Sequence, residues 1–197
     1  MIVGTYKSER IVHVDEESQS SPNIGEAEVF IRLYRQNYDA IFRYCVHRLF
    51  DRQSAEDVTS QVFLKAVENY HDFNGSEQQF CYWLFRIATN AVNQHLRKKI
   101  RHERILQQAQ ERILSKVSVD SDSEEQSHEK LTALKEAVFS LKPRYQTIIT
   151  LRFFENLRPN EIAEVLASSA GTIRSQLARA LARLRKKLTA DYADYMD

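Results

Sequence analysis

Hydrophobic residues recur at steps of three and four along most of this chain, which is the spacing of a helix with one buried face. The pattern runs from residue 25 to about 104, stops over 105–127 and resumes over 128–190. The interruption contains the run SVDSDSEEQSH, which is acidic and too poor in apolar residues to form a core. With only 4 Gly and 3 Pro in 197 residues, long helices are favoured. The pattern predicts an all-α fold, in which two small helical domains are joined by a flexible linker.

The helical stripes give the expected core of each domain. In the first domain (25–104) they comprise Phe30, Leu33, Tyr34, Ile41, Cys45, Leu49, Val58, Val62, Phe63, Ala66, Val67, Phe80, Trp83, Leu84, Ile87, Ala91 and Leu96. In the second domain (128–190) they begin with Leu131, Leu134, Val138, Leu141, Ile148, Ile149 and Leu151. Residues 1–24 and 191–197 lie outside the periodic pattern, and we expect flexible tails there.

Caps and prolines predict where several helices begin and end. Ser54 is the expected cap of one helix, with an acidic residue at the capping-box position three residues on. Asn74-Gly75 then interrupts the helical pattern. Pro143 and Pro159 each suit the first position of a helix, where the missing N–H costs nothing.

Residues 160–188 predict a helix, a tight polar turn and a second helix. Ser169 is placed to cap the second helix. One face of the pair is apolar, with Ile162, Val165, Leu166, Ile173, Leu177, Ala180, Leu181 and Leu184. The other face of the second helix is basic, with Arg174, Arg179, Arg183, Arg185, Lys186 and Lys187. Such a pair is shaped to enter a DNA major groove, although a two-helix core element with a solvated basic face would show the same pattern.

Charge is balanced over the whole chain but segregated along it. Lys and Arg total 28 against 27 Asp and Glu, whereas a free-standing DNA binder usually carries a clear basic excess. Basic residues concentrate at 97–104 and 174–187, and acidic residues at 120–129. This distribution favours local nucleic-acid contact by a protein that depends on a larger partner for affinity.

The sequence offers no pattern of catalysis or metal binding. Cys45 and Cys81 lie in apolar helical stretches and are expected to be small buried hydrophobes. The histidines lack the spacing of a metal site, and neither a phosphate loop nor a nucleophile-and-base set is present. We therefore expect no enzyme activity, no catalytic residue, no cofactor and no metal. Without a signal pattern or an apolar run of about 18 residues, a cytoplasmic protein is expected.

Aromatic residues surround a polar loop just before a basic helix end. They are Phe73, Phe80, Tyr82, Trp83 and Phe85. Aromatic faces stack on exposed bases while Arg and Lys hold phosphates, which is the usual way to bind single strands. Phe80, Trp83 and Leu84 are explained more simply as core. Phe73, Asn74 and Asn90 are less easily explained in that way and are candidates for contacting an unstacked base.

Three motifs together resemble a bacterial RNA polymerase sigma factor of the extracytoplasmic-function (ECF) type. The first motif, SAEDVTSQVFLKA, resembles the helix that docks on the polymerase clamp. The second, FNGSEQQFCYWLFRIATNAVNQHLRKK, resembles the element that binds the promoter −10 region. The third, NEIAEVLASSAGTIRSQLARALARLRKKL, resembles the −35 helix-turn-helix. The motifs have the family's order and spacing and cover about residues 25–190. The resemblance implies two helical domains. The first would bind core polymerase and the −10 element, and the second would bind the −35 element.

The resemblance also implies roles for individual residues. Core-polymerase contacts would be made by Glu56, Asp57 and Gln61. Contacts to the melted −10 strand would be made by Phe73, Asn74 and Asn90, with Arg97, Lys98, Lys99 and Arg101 on its phosphates. Contacts to the double-stranded −35 element would be made by Thr172, Arg174, Ser175, Gln176 and Arg179. Gln176 and Ala178 depart from the family's usual residues, so the promoter preference should differ.

The implied partners are core polymerase and promoter DNA. The clamp of the largest subunit and the flap of the second subunit would hold the two domains. An anti-sigma factor is a common further partner of the family, although no residue here identifies one. The alternative is a stand-alone helix-turn-helix repressor or activator with an N-terminal helical domain, which would leave the aromatic loop at Phe73 without a purpose.

Overall fold

The computed structural model describes residues 24–111, 134 and 136–193, and all of its regular elements are helical. The first half contains α1 (Ile24–Leu49), α2 (Arg52–Glu68), a 3-10 turn (Tyr70–Asp72) and α3 (Glu77–Glu111). The second half contains helical residues at 134 and 136–139, followed by α4 (Pro143–Phe153), α5 (Pro159–Leu166) and α6 (Ala170–Ala193). The predicted all-α fold is confirmed. Most of the predicted linker and most of both predicted tails lie outside the described residues, although α1 begins at Ile24, α3 continues past residue 104 and α6 continues to Ala193.

Most helix starts were predicted correctly. Pro143 and Pro159 occupy first helical positions, and the Ser169 Oγ accepts the backbone N–H of Thr172 at 3.0 Å, as a cap should. The cap predicted at Ser54 is wrong. The carboxylate of Asp51 instead accepts the backbone N–H of Ser54 at 2.9 Å, because the backbone already becomes helical at residue 52.

The core of the first half is formed where α1, α2 and α3 pack together. Its fully buried residues on the predicted stripes include Ile41, Cys45, Val58, Val62, Ala66, Phe80 and Leu84. The prediction missed other residues that are fully buried in this core, which are Tyr44, Ala55, Ala88 and Val92. Val67 was wrongly included, since its side chain is 54% exposed. Successive residues point about 100° apart on a helix, so Val67 turns away when Ala66 faces the core. Tyr34 is 37% exposed, with its ring set edge-on against Phe63.

The helix-turn-helix has the predicted core with one exception. Ile162, Val165 and Ile173 are buried between α5 and α6. Leu181 is 40% exposed, because its neighbour Ala180 takes the inward position of that turn. Of the residues before α4, Val138 and Leu141 are buried as predicted, Leu134 is exposed, and Leu131 lies outside the described residues.

The two halves pack against each other, which the sequence pattern did not predict. One core cluster combines α1, α2 and α3 with Ile148, Leu151, Ile162, Val165 and Ile173 of the second half. The contacts join α1 to α4 and α3 to α5. The described structure is therefore a closed arrangement of the two domains.

Candidate nucleic-acid interface

The loop before α3 is tightly built and leaves one amide exposed. Ser76 and Gln79 form a reciprocal cap, in which Gln79 Oε1 accepts the Ser76 backbone N–H at 2.8 Å and Ser76 Oγ accepts the Gln79 backbone N–H at 3.3 Å. A Cβ on Gly75 would lie only 2.8 Å from the Phe73 ring, so glycine permits the loop to approach that ring. Asn74 is exposed at the tip and can reach a ligand without rearrangement.

The ring of Phe73 packs against aromatic residues at the edge of the core. Its ring centroid lies 5.3 Å from that of Phe80 and 5.3 Å from that of Trp83, and it is inclined 30° to the indole. The side chain is half-buried. Phe73 therefore forms the floor of the loop, with part of its surface left open.

The predicted polar and basic residues of α3 lie on its solvent side. Asn90, Arg97, Lys98, Lys99 and Arg101 are all exposed. Asn90, Arg97 and Arg101 are seven and four residues apart and so share one face. This face continues from the loop toward the basic part of the helix and could follow a nucleic-acid strand.

The second candidate surface is the outer side of α6. Burial of Ile173 and Leu184 against the core turns Thr172, Arg174, Ser175 and Arg179 outward, and all four are exposed. Gln176 is only half-exposed, so it lies at the edge of this surface. The Thr172 hydroxyl is 2.8 Å from the Ser169 hydroxyl, which fixes the first turn of the helix.

The outer side of α2 combines acidic, amide and apolar groups. Asp57 and Gln61 are exposed, while Glu56 is half-buried and pairs with Arg52 at 3.0 Å. Leu64 is 59% exposed and lies one turn beyond Gln61. Sequence reasoning missed Leu64 as a surface residue. An apolar residue outside the buried stripe was the available signal.

Polar links between the two halves were also missed by sequence reasoning. Arg43 pairs with Glu155 at 2.8 Å, and the Glu155 side chain is only 2% exposed. Burial raises the pKa of Glu155, with Arg43 opposing the shift. Arg48 is buried and donates to Gln146 Oε1 at 2.6 Å and to Asn93 Oδ1 at 2.9 Å. These links hold α1 and α3 against α4 and the turn after it.

Further chemistry is limited in the part of the chain that the structure describes. There, no three His, Cys, Asp or Glu residues are grouped so that they could hold a metal ion. Both cysteines are free, and burial raises the pKa of Cys45 and of Cys81 to about 11, so neither thiol is activated. None of the described helices is both long and apolar enough to cross a membrane.

Two family models match the two halves in order. Sigma-70 region 2 matches residues 33–102, and Sigma-70 region 4 matches residues 131–184. The chain is also 34% identical over 186 residues to the ECF RNA polymerase sigma factor BldN of Streptomyces coelicolor, an alignment covering 93% of this chain and 68% of that one. The chain belongs to the ECF RNA polymerase sigma factors. This sigma factor is therefore a promoter-recognising subunit of RNA polymerase, and a stand-alone repressor or activator is not favoured.

Other relatives agree with this assignment. The sigma factor is 27% identical over 171 residues to the ECF sigma factor SigW of Bacillus subtilis, which covers 83% of this chain and 91% of that one. A solved structure of RpoE from Bartonella quintana has a TM-score of 0.60 at 22% identity, covering 83% of this chain and 99% of that one. At that identity the structural match supports the fold alone.

Proposed function

We propose that this sigma factor holds core polymerase through the outer side of α2 and reads the two promoter elements with α3 and α6. The observation that carries the proposal is the separation of exposed surfaces. An acidic and apolar surface lies on α2, while amides and basic residues line α3 and α6. Each surface falls within the matched sigma region that would use it. The corresponding domains would be 25–104 and 128–190, with the linker at 105–127, whose first residues continue α3 to Glu111.

The α2 surface suits a protein partner. Glu56, Asp57 and Gln61 would contact the clamp of the largest polymerase subunit, and the exposed Leu64 would add apolar contact area at their side. The flap of the second subunit would hold the C-terminal domain. The sigma factor would act in the cytoplasm with polymerase and contribute binding rather than catalysis.

The α3 surface suits a melted −10 strand. Asn74 and Asn90 would hydrogen-bond to the edges of unstacked bases, with Phe73 beneath them as an aromatic platform. Backbone phosphates would be held by the basic side chains Arg97, Lys98, Lys99 and Arg101. These side chains are exposed and lie beyond Asn90 along the same helix.

The α6 surface suits the major groove at −35. Arg174 and Arg179 would contact base edges or phosphates, and Thr172, Ser175 and Gln176 would complete the contact. The half-exposed Gln176 would reach the DNA only at the edge of the groove.

An anti-sigma factor is a reasonable regulatory partner. The solved RpoE of Bartonella quintana is in complex with the anti-sigma factor NepR, and the solved CnrH, with a TM-score of 0.61, is in complex with the cytosolic domain of CnrY. We infer that a protein of this kind binds the present sigma factor.

Permanganate footprinting of the polymerase complex tests the assignment of surfaces. Wild-type sigma factor with core polymerase should make thymines near −10 reactive. Asn74→Ala should reduce that reactivity without changing protection at −35, and Arg174→Ala should reduce −35 protection first. If either variant lost the −10 reactivity and the −35 protection to the same extent while still binding core polymerase, the separate assignments of α3 and α6 would be contradicted.

A further inference from the structure

Two arginines from different helices meet at one buried tyrosine of the second half. The guanidinium carbon of Arg144 lies 4.9 Å from the centre of the Tyr145 ring, and that of Arg183 lies 5.5 Å from it. Arg144 also donates to the Tyr145 hydroxyl oxygen at 3.3 Å. Tyr145 is 2% exposed, whereas both arginines are exposed. The buried ring therefore holds two exposed cations, one from α4 and one from α6, close together.

These cations have no anionic partner in the part of the chain that the structure describes. The ion pairs found there involve other cations, which are Arg32, Arg43, Arg52 and His71. The first turn of α4, which contains Arg144, has no acidic residue, and its N-cap is Lys142. Cations at this end of a helix meet the positive end of the helix dipole, which is unfavourable. Positive charge is thus concentrated where the described fold supplies no negative charge to balance it, which favours an anionic ligand.

Arg183 continues the candidate −35 surface of α6. Arg179 and Arg183 follow Thr172 by seven and eleven residues, so the three share one face of the helix. The hydrogen bond from Arg144 lowers the pKa of Tyr145, and the charges of Arg183 and Arg179 lower it further while burial opposes them. The exposed stripe of α6 therefore leads from the turn of the helix-turn-helix to the arginine pair at Tyr145.

Distance along α6 separates contacts with bases from contacts with the DNA backbone. Eleven residues advance a helix by about 16 Å, and the major groove of B-DNA is about 12 Å wide. When Thr172 lies in the groove, Arg183 is therefore beyond the base edges and close to the phosphates that border the groove. Guanidinium groups suit phosphates, with which they form paired hydrogen bonds.

We propose that Arg144 and Arg183 form a phosphate clamp that holds the DNA backbone beside the −35 element. Tyr145 is the positioning residue of this clamp, since its buried ring fixes both guanidinium groups without reaching DNA. The clamp adds affinity without reading sequence, because phosphate contacts carry no sequence information directly. The inference rests on the proposed −35 role of α6 and extends the DNA contact to α4.

Binding of core polymerase with this sigma factor to a promoter duplex, measured over a range of salt concentrations, tests the clamp. Arg144→Gln and Arg183→Gln should each lower the slope of log affinity against log salt by about one unit, because each removes one phosphate contact. Each should weaken binding by the same factor on promoters with different −35 sequences. Arg183→Lys keeps the charge and should keep the slope. The matched control is Arg35→Gln, which removes a cation from an exposed position of α1 and should leave the slope unchanged.

Neutral methylphosphonate linkages, placed one at a time along the duplex, locate the contacts. One or two positions beside the −35 element should reproduce the loss of affinity, and Arg183→Gln should cause no further loss on the duplex whose contacted phosphate is neutral. Thermal denaturation shows whether each variant is folded. If Arg183→Gln fails to fold, Arg144→Gln decides the outcome, since the same loss of slope is expected of it.

Several results would overturn the proposal. They are unchanged slopes in folded variants, an equal change in Arg35→Gln, weakening that depends on the −35 sequence, or a loss in Arg183→Lys as large as that in Arg183→Gln. Arg174→Ala on the same promoters separates the clamp from the proposed function. If Arg174→Ala leaves −35 dependence unchanged, the proposed −35 surface is rejected and the clamp with it. If Arg174→Ala relaxes −35 dependence while the clamp variants change nothing, the clamp alone is rejected.

Discussion

Replacing Arg48 with methionine should remove the buried polar link between the two halves while keeping most of the side-chain volume. Arg48 is 2% exposed and donates to Gln146 at 2.6 Å and to Asn93 at 2.9 Å. Gln146 is 6% exposed, so its carbonyl oxygen would lose a charged donor in a place that water reaches poorly. We expect Arg48→Met to lower the free energy of unfolding.

The expected loss follows from the two hydrogen bonds. A hydrogen bond to a charged group contributes about 1.5–3 kcal/mol. The bond to Gln146 should contribute in that range, whereas Asn93 is half-exposed and can bind water instead. Removing the buried guanidinium also relieves its desolvation cost, which offsets part of the loss. The net destabilisation should be about 2 kcal/mol.

Urea denaturation followed by fluorescence measures this loss. Trp83 is the chain's single tryptophan, and it packs on Phe73 and Phe80 in the first half. The matched control is Arg52→Met, since Arg52 is 80% exposed. Its surface pair with Glu56 and its position 5.6 Å from the centroid of the Phe42 ring are together expected to contribute no more than about 1 kcal/mol. An Arg48→Met loss as small as that of the control would refute a stabilising role for the buried link.

Four further outcomes are expected. Asn74→Ala should impair initiation from a closed duplex far more than from a pre-melted bubble; equal impairment would reject its role in base capture. Arg174→Ala should weaken −35-dependent transcription by about 1–3 kcal/mol, or roughly 5- to 150-fold, and unchanged −35 dependence would reject the contact. Leu64→Asp should weaken co-purification with core polymerase while leaving thermal stability unchanged, because Leu64 is exposed; undiminished core binding would remove it from the interface. Glu155→Gln should be more stable than wild type at neutral pH. A raised pKa means that folding favours the neutral form of Glu155. The stability advantage of Glu155→Gln should therefore disappear as the pH falls below the ordinary pKa of 4.5. A stability difference that does not change with pH would contradict this.

Periodicity and caps predicted most of the secondary structure because both are local. Pro143, Pro159 and Ser169 act within a turn of their own position, and the structure confirms all three. The Ser54 cap was wrong because Asp51 is an equally good capping residue three positions earlier, and the sequence pattern does not choose between them. Leu181 was wrongly placed in the core because a leucine beside an inward-facing alanine looks like part of the same stripe.

The closed arrangement of the two halves could not be predicted in this way. Arg43 and Glu155 are 112 residues apart, and Arg48 and Gln146 are 98 apart. Charged residues on a helix normally indicate a solvated face, so nothing local marks Arg48 as buried. The candidate −10 and −35 residues could be proposed from sequence because they follow family motifs.

Phe73 shows how the structure changes the interpretation of a candidate site. The sequence suggested a residue whose purpose was to contact a base. Its ring also packs on Phe80 and Trp83, so replacing it would disturb the loop as well as any bound strand. Asn74, which is exposed beside it, is therefore the better residue for testing base capture.

Transcription from a library of random promoter sequences tests the central claim most directly. Core polymerase with this sigma factor should give transcripts enriched in templates that share two short elements at a fixed spacing, and core polymerase alone should not. Arg174→Ala should relax selection at the upstream element, and Asn74→Ala at the downstream element. If the protein enriched no templates with core polymerase, yet bound duplex DNA tightly by itself, the account of a polymerase-dependent promoter reader would be contradicted.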